Sequence, residues 1–229
     1  MTRTRPILLL AAALCLGAAL PASAQSVAAT YEGLVDEDSG LGLVGETLRV
    51  SLVYDASVAP DYAFANTRAA GFSGFLQSMT VSVGSLQWAW TPSGGGSFMS
   101  LEDDAPRFFS PPEDAVVMDA YGFEGTDPFA ETSNHSLSMY LYDHTNADGL
   151  ADYATLPASP IDPARFEDGQ TLEFSFVVGP DPELGDIYRI SSHAFGLAAP
   201  VPEPATAALW LAGIGVLGSL SRRRLHAGR

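Results

Sequence analysis

The sequence predicts an all-β protein, an antiparallel β-sandwich of jelly-roll-like form, flanked by an N-terminal signal peptide and a C-terminal single transmembrane helix. Three observations carry this. Apolar and polar residues alternate with period two along the middle of the chain, clusters of Gly, Pro and Asp separate the alternating runs, and a continuous apolar run lies near each end. The resulting parts are residues 1–24, 25–199 and 200–229.

The first part reads as a secretory signal peptide. Arg3 and Arg5 precede the apolar run "ILLLAAALCLGAAL", and "PASA" puts Ala22 and Ala24 where a signal peptidase reads before cutting ahead of Gln25. Cys15 is the single cysteine, and Leu14 stands before it where a lipobox takes Gly, Ala or Ser. Cleavage removes the thiol. The exported chain is then left with no disulfide, thiolate metal site or cysteine nucleophile.

Residues 25–199 have the length of one domain, enough for a core without covalent staples. "VAATYEGLV" opens as a short strand. In "ETLRVSLVYD", Leu48, Val50, Leu52 and Tyr54 alternate with Thr47, Arg49 and Ser51. "DYAFANTRAAG" reads as one or two helical turns. In "SMTVSVGSLQWAW", Met79, Val81 and Val83 run into Gly84-Ser85 and then Leu86, Trp88 and Trp90. A Gly-first two-residue loop between alternating runs signals a type II′ hairpin.

"TPSGGGS" and "SPPED" are turn chemistry, and the acidic runs Asp36–Asp38 and Glu102–Asp104 read as solvated loops. "AVVMDAYGFEG" is a further strand. "SLSMYLYD" places Leu137, Met139 and Leu141 on one face, with Tyr140 and Tyr142 opposite. "TLEFSFVVG" does the same with Leu172, Phe174, Phe176 and Val178, and "DIYRISSHAFGL" closes the set. Seven to nine short strands of this kind make an antiparallel sandwich.

Charge is lopsided. Residues 25–199 hold 26 of the 27 acids and five of the 11 arginines, with no lysine, a net −21. Such a surface repels nucleic acid and anionic lipid, and it suits divalent cations that would bridge it to acidic polysaccharide.

Few patterns carry chemistry. In "DHTNADGLAD", Asp143, Asn146, Asp148 and Asp152 surround Gly149 at nearly the spacing of a calcium loop, in which alternate oxygens converge on the ion. His144 stands where the first Asp belongs, and Thr155 where a bidentate Glu closes such a loop. The competing reading is a polar Asp-Gly turn after Tyr142. No cofactor is required by any pattern; calcium alone has a candidate site. "GFSGF" around Ser73 misses a nucleophile elbow by one position. His135, His144 and His193 lack zinc-ligand spacing and read as surface or loop residues. Trp88 and Trp90 share one strand face, as a sugar-stacking platform or as core, and alternation with Gln87 and Ala89 favours core. Among so many carboxylates a pair suited to glycoside hydrolysis always exists, so abundance carries no signal.

The last part has three components. Val201, Pro202, Glu203 and Pro204 precede a 16-residue apolar run, Ala205 to Leu220. As a helix the run reaches about 24 Å, short of a hydrocarbon core of about 30 Å, a gap closed by bilayer thinning and snorkelling of Arg222. Arg222, Arg223 and Arg224 follow where the positive-inside rule keeps them cytoplasmic and turns the body outward. These components, in this order, resemble the PEP-CTERM sorting signal.

That resemblance implies export by the Sec machinery, an inner-membrane precursor, and cleavage near the motif by an exosortase, an integral membrane cysteine protease. It also implies delivery to the cell envelope or extracellular polymeric matrix of an exopolysaccharide-producing Gram-negative bacterium. The body is similar to small secreted domains found among PEP-CTERM proteins, at Gly33, Tyr54-Asp55, Leu156-Pro157 and Phe174-Ser175-Phe176. The expectation is a non-enzymatic surface or matrix protein with exopolysaccharide as a partner and no nucleic acid. One alternative is a calcium-assisted carbohydrate-binding module using Trp88 and Trp90 or the Asp143–Asp152 loop; another is a carboxylate-dependent glycan hydrolase.

Overall fold

Alternation of period two needs an apolar and a watery side, and the chain supplies them as two sheets around one core. The computed structural model describes residues 25–106, 113–144, 149–181 and 183–199. Its strands are β1 (Ser26–Leu34), β2 (Glu37–Asp38), β3 (Thr47–Asp55), β4 (Tyr62–Phe64), β5 (Ala69–Ser73), β6 (Leu76–Val83) and β7 (Leu86–Trp90). They continue as β8 (Gly96–Ala105), β9 (Glu113–Tyr121), β10 (Phe123–Gly125), β11 (Thr132–Asp143), β12 (Gly169–Val178), β13 (Asp186–Ser192) and β14 (Phe195–Leu197). All belong to one compact unit ending at Leu197.

One sheet has six strands in the order β10-β7-β6-β3-β1-β14, and the other has eight in the order β2-β13-β12-β11-β9-β8-β5-β4. The predicted antiparallel sandwich is therefore present. β8, β9, β11, β12 and β13 lie side by side in the larger sheet, but most connections along the chain cross from one sheet to the other. One of these crossings is at Gly122, between β9 and β10, where φ is +87° and a Cβ would strike the backbone of Gly94 and Gly95. Only glycine fits there.

Each alternating run buries the face its sequence marks. Leu48, Val50, Leu52 and Tyr54 of β3 are all buried, as are Met79, Val81 and Val83 of β6 and Leu137, Met139 and Leu141 of β11. Burying one such side chain stabilises by roughly 1.5–3 kcal/mol. The β6–β7 hairpin pairs Val83 with Leu86, and Gly84 takes φ +55° as the Gly-first loop requires. The two sheets meet ring to ring, with Trp88 against Phe174 at 4.4 Å between centres.

Three expectations are corrected. Residues 61–71 form no helical turns. They are the β4–β5 hairpin, in which Ala70 and Phe72 point into the core and the Asp61 N–H donates to the Gly71 carbonyl at 2.8 Å. Glu102–Asp104 lies inside β8 and is not a solvated loop. Asp103 is buried there, with the Arg68 guanidinium 2.6 Å from its carboxylate. Burial pushes the Asp103 carboxyl above the usual range, and Arg68 pulls it only part of the way back. Asp36–Asp38 is likewise structural. Asp38 accepts from the N–H groups of Leu43, Gly40, Leu41 and Val44, which hold its carboxyl below the usual range.

Between β11 and β12 the described residues 149–168 contain no strand, yet the segment is anchored. Leu150, Leu156, Ile161 and Phe166 are buried, and Pro163–Arg165 makes one 3-10 turn capped by Asp162. The Tyr31 hydroxyl donates to the Ile161 carbonyl at 3.1 Å, and the Tyr54 hydroxyl donates to the carbonyls of Pro157 and Ser159 at 2.8 and 3.0 Å. Burial raises both phenols well above the usual tyrosine range. Two of the resemblance segments thus meet in space: Tyr54 secures the segment carrying Leu156-Pro157.

Candidate functional site

Trp88 and Trp90 offer no sugar-stacking surface. They are 1% and 3% exposed, on the inward face of β7, so the platform expectation is corrected in favour of core. The Trp88 ring packs on Phe174 and Phe176, and its Nε1–H donates to Asp127 Oδ1 at 2.9 Å. The same oxygen lies 2.7 Å from His135 Nε2. His135 is consequently a buried partner of the core and not a surface residue, stacked near Phe174 and Phe176. Burial pushes the Asp127 carboxyl up, but hydrogen bonds from Thr132, Trp88 and His135 outweigh it and leave it below the usual range.

The other two histidines of the body also sit against carboxylates. His144 Nδ1 lies 2.8 Å from Glu113, and His193 Nδ1 lies 2.8 Å from Asp36, which also accepts the His193 backbone N–H. The three are held in separate places by separate acids.

Of the calcium candidates, Asp143 and Asp152 are described, while Asn146 and Asp148 lie outside the described residues. Asp143 closes β11, buried, opposite the buried Asp114 of β9. Asp114 accepts from the Asp104 N–H at 2.7 Å and the Leu150 N–H at 2.9 Å, so it fastens two loops to the sheet. Asp152 accepts from the Ala154 N–H and the Thr155 hydroxyl within its own turn. Among the described residues, no three His, Cys, Asp or Glu side chains converge as a metal site. Nearby, a cavity of about 460 Å³ opens on the 149–165 segment, lined by Leu156, Ile161, Asp162 and Arg165.

The outward face of the eight-stranded sheet holds residues that reasoning from single runs missed. Tyr62, Tyr121 and Tyr142 are exposed, and each is paired across strands with a glycine: Gly71, Gly96 and Gly169. A Cβ on any of these glycines would run into the tyrosine's Cζ, hydroxyl oxygen and adjoining ring carbon. For Gly71 and Gly169 those separations are nearly equal, which puts the glycine beneath the ring's face and not at its edge. The rings therefore lie down on the sheet, with Phe64 stacked on Tyr62 and the His144 ring 5.3 Å from that of Tyr142, and each keeps part of its surface in water. Tyr140, outward on the same strand as Tyr142, was legible as an outward residue; the glycine partners, nine to 27 residues away from their tyrosines, were not.

A protein-family comparison matches residues 200–224 to the PEP-CTERM protein-sorting motif. The chain carries that sorting motif. The match spans the Val201–Pro204 element, the apolar run and Arg222–Arg224, all of which lie outside the described residues. No curated protein and no solved structure matches the chain. The PEP-CTERM motif implies export, a membrane-anchored precursor and exosortase processing toward the cell surface. Among the described residues no helix is long and apolar enough to cross a membrane. The motif therefore speaks for the tail, and the chemistry of the body rests on the body's own residues.

Proposed function

We propose that this is a non-enzymatic surface or matrix protein. The Sec machinery exports it on residues 1–24, and an exosortase releases its body from the inner membrane into the envelope or exopolysaccharide matrix of a Gram-negative cell. The PEP-CTERM match at residues 200–224 carries the reading. Two features of the body support it. The acids that looked available for chemistry are spent on structure: Asp38, Asp114 and Asp152 hold backbone or turn donors, and Asp127 holds Trp88 and His135. The body also carries no lysine and a net −21, which keeps it soluble and apart from anionic lipid once released.

Replacing Pro202-Glu203-Pro204 by alanines tests the address. Fractionation should then show uncleaved protein accumulating in the inner membrane. Release of the variant at the normal rate and mass would overturn the proposal.

A further inference from the structure

We propose that the outward face of the eight-stranded sheet binds a neutral polysaccharide, stacked on tyrosine rings that the sheet's own glycines lay flat. The inference stands on this face alone and is independent of the sorting tail.

Across the sheet, β11 carries Tyr140 and Tyr142, and β4 carries Tyr62 and Phe64. All four are exposed, by 38% to 54%. Following the register from Tyr140 leads through Val117 and Ser100 to Gly71 and then Tyr62. The row below runs from Tyr142 through Ala115 and Glu102 to Ala69 and Phe64. Two aromatic rims thus stand about 19 Å apart, four inter-strand steps of roughly 4.8 Å, with mostly small side chains between them.

Glycine inside a strand costs stability and is found where something must approach closely. Here what approaches is a ring. Tyr142 covers Gly169 and Tyr62 covers Gly71, and Phe64 stacks on Tyr62 at 5.3 Å between centres. A phenol standing upright would offer water its edge and hydroxyl. A phenol lying on glycine turns its other π-face outward, beside Phe64 at Tyr62 and beside His144 at Tyr142, and the C–H face of a sugar ring is complementary to such aromatic surface.

Charge selects among occupants. Acids of this face are already engaged, Asp119 by the Ser138 hydroxyl at 2.6 Å and Glu173 by Ser191 and Arg189, and Glu102 in the Tyr142 row is not free either. The body's net −21 repels nucleic acid, anionic lipid, uronic-acid polymers and a second copy of itself. An uncharged chain of hydroxyls and C–H faces meets neither obstacle, and the Ser100 and Thr171 hydroxyls lie in the Tyr140 row to receive it.

The test is retention of the full chain, in a non-glycosidic detergent, on insoluble cellulose, chitin and mannan and in gels containing soluble β-glucan. Alginate without calcium serves as the acidic control. Retention on at least one neutral polymer is expected, falling roughly tenfold in the Tyr140→Ala/Tyr142→Ala pair and preserved in the Tyr140→Phe/Tyr142→Phe pair. Should the alanine pair unfold, Gly169→Ala, which lifts the Tyr142 ring, must lower retention in a folded chain. No retention on any neutral polymer, equal retention by the variants, or retention on alginate alone would overturn the proposal. So would a dimer, seen by light scattering, that the alanine pair abolishes.

Discussion

The molecule has two aromatic layers that hold their rings in different ways. Inside, Trp88, Phe123, Phe174 and Phe176 are fixed by one another, ring upon ring, with Asp127 fastening the Trp88 N–H. Outside, Tyr62, Tyr121 and Tyr142 rest on glycine and remain 38% to 61% exposed. The inner rings are held by packing from every direction, while the outer ones keep part of their surface in water. What lies beneath a ring decides whether it stabilises the fold or is left available to a ligand.

The largest test of that contrast is Trp88→Ala. It removes a side chain 1% exposed and should cost about 3–5 kcal/mol in urea unfolding. A loss near that of an outer tyrosine would erase the distinction between the layers.

Asp127→Ala probes the polar anchor of the inner layer. Leaving the buried Trp88 N–H without its acceptor should cost about 1–3 kcal/mol at pH 7. The pH dependence has a definite sign. Burial alone would raise the Asp127 carboxyl, but the bonds from Thr132, Trp88 and His135 prevail, so its folded pKa lies below the ordinary 3.8. The unfolded chain takes up that proton more readily. The stabilisation is therefore complete above the unfolded value and is lost as pH falls through the folded one. Urea midpoints measured downward from pH 7 should show the gap between wild type and variant closing at acid pH. A constant gap would refute the assignment.

The smallest effects belong to the outer layer. Gly169→Ala forces the Tyr142 ring to move and should cost about 1 kcal/mol, and Tyr142→Ala less than that. In the Tyr142→Ala background the alanine at position 169 should cost nothing. A double-mutant cycle that shows simple additivity would mean that ring and glycine do not depend on each other.

Much of the sandwich was legible along the chain. Leu48 to Tyr54, Met79 to Val83 and Leu137 to Leu141 each mark their own buried face, because in a strand side-chain direction follows from parity alone. The same parity favoured core for Trp88 and Trp90. Reading failed where a partner distant in sequence decides. Residues 61–71 carry an alanine-rich pattern that suits a helical turn, but β8 offers β5 a strand to pair with and takes it into the sheet. Asp103 looked solvated because its counter-charge, Arg68, is 35 residues away. His135 looked exposed because Asp127 and two phenylalanines close around it only after folding. The glycine beneath each outer tyrosine depends on strand register, which the pattern of a run does not reveal.

The sequence by itself determined the address and the alternation. A sorting motif is read by its receptor as a linear string, and inward or outward placement needs only period two, so neither waits for the fold. Only the tertiary structure decided which rings are buried, which acids are spent on loops, and that three tyrosines lie flat on glycines from other strands. Those are properties of pairs from different strands, and their energies arise only when strand pairing and the closing of the two sheets bring the partners into contact.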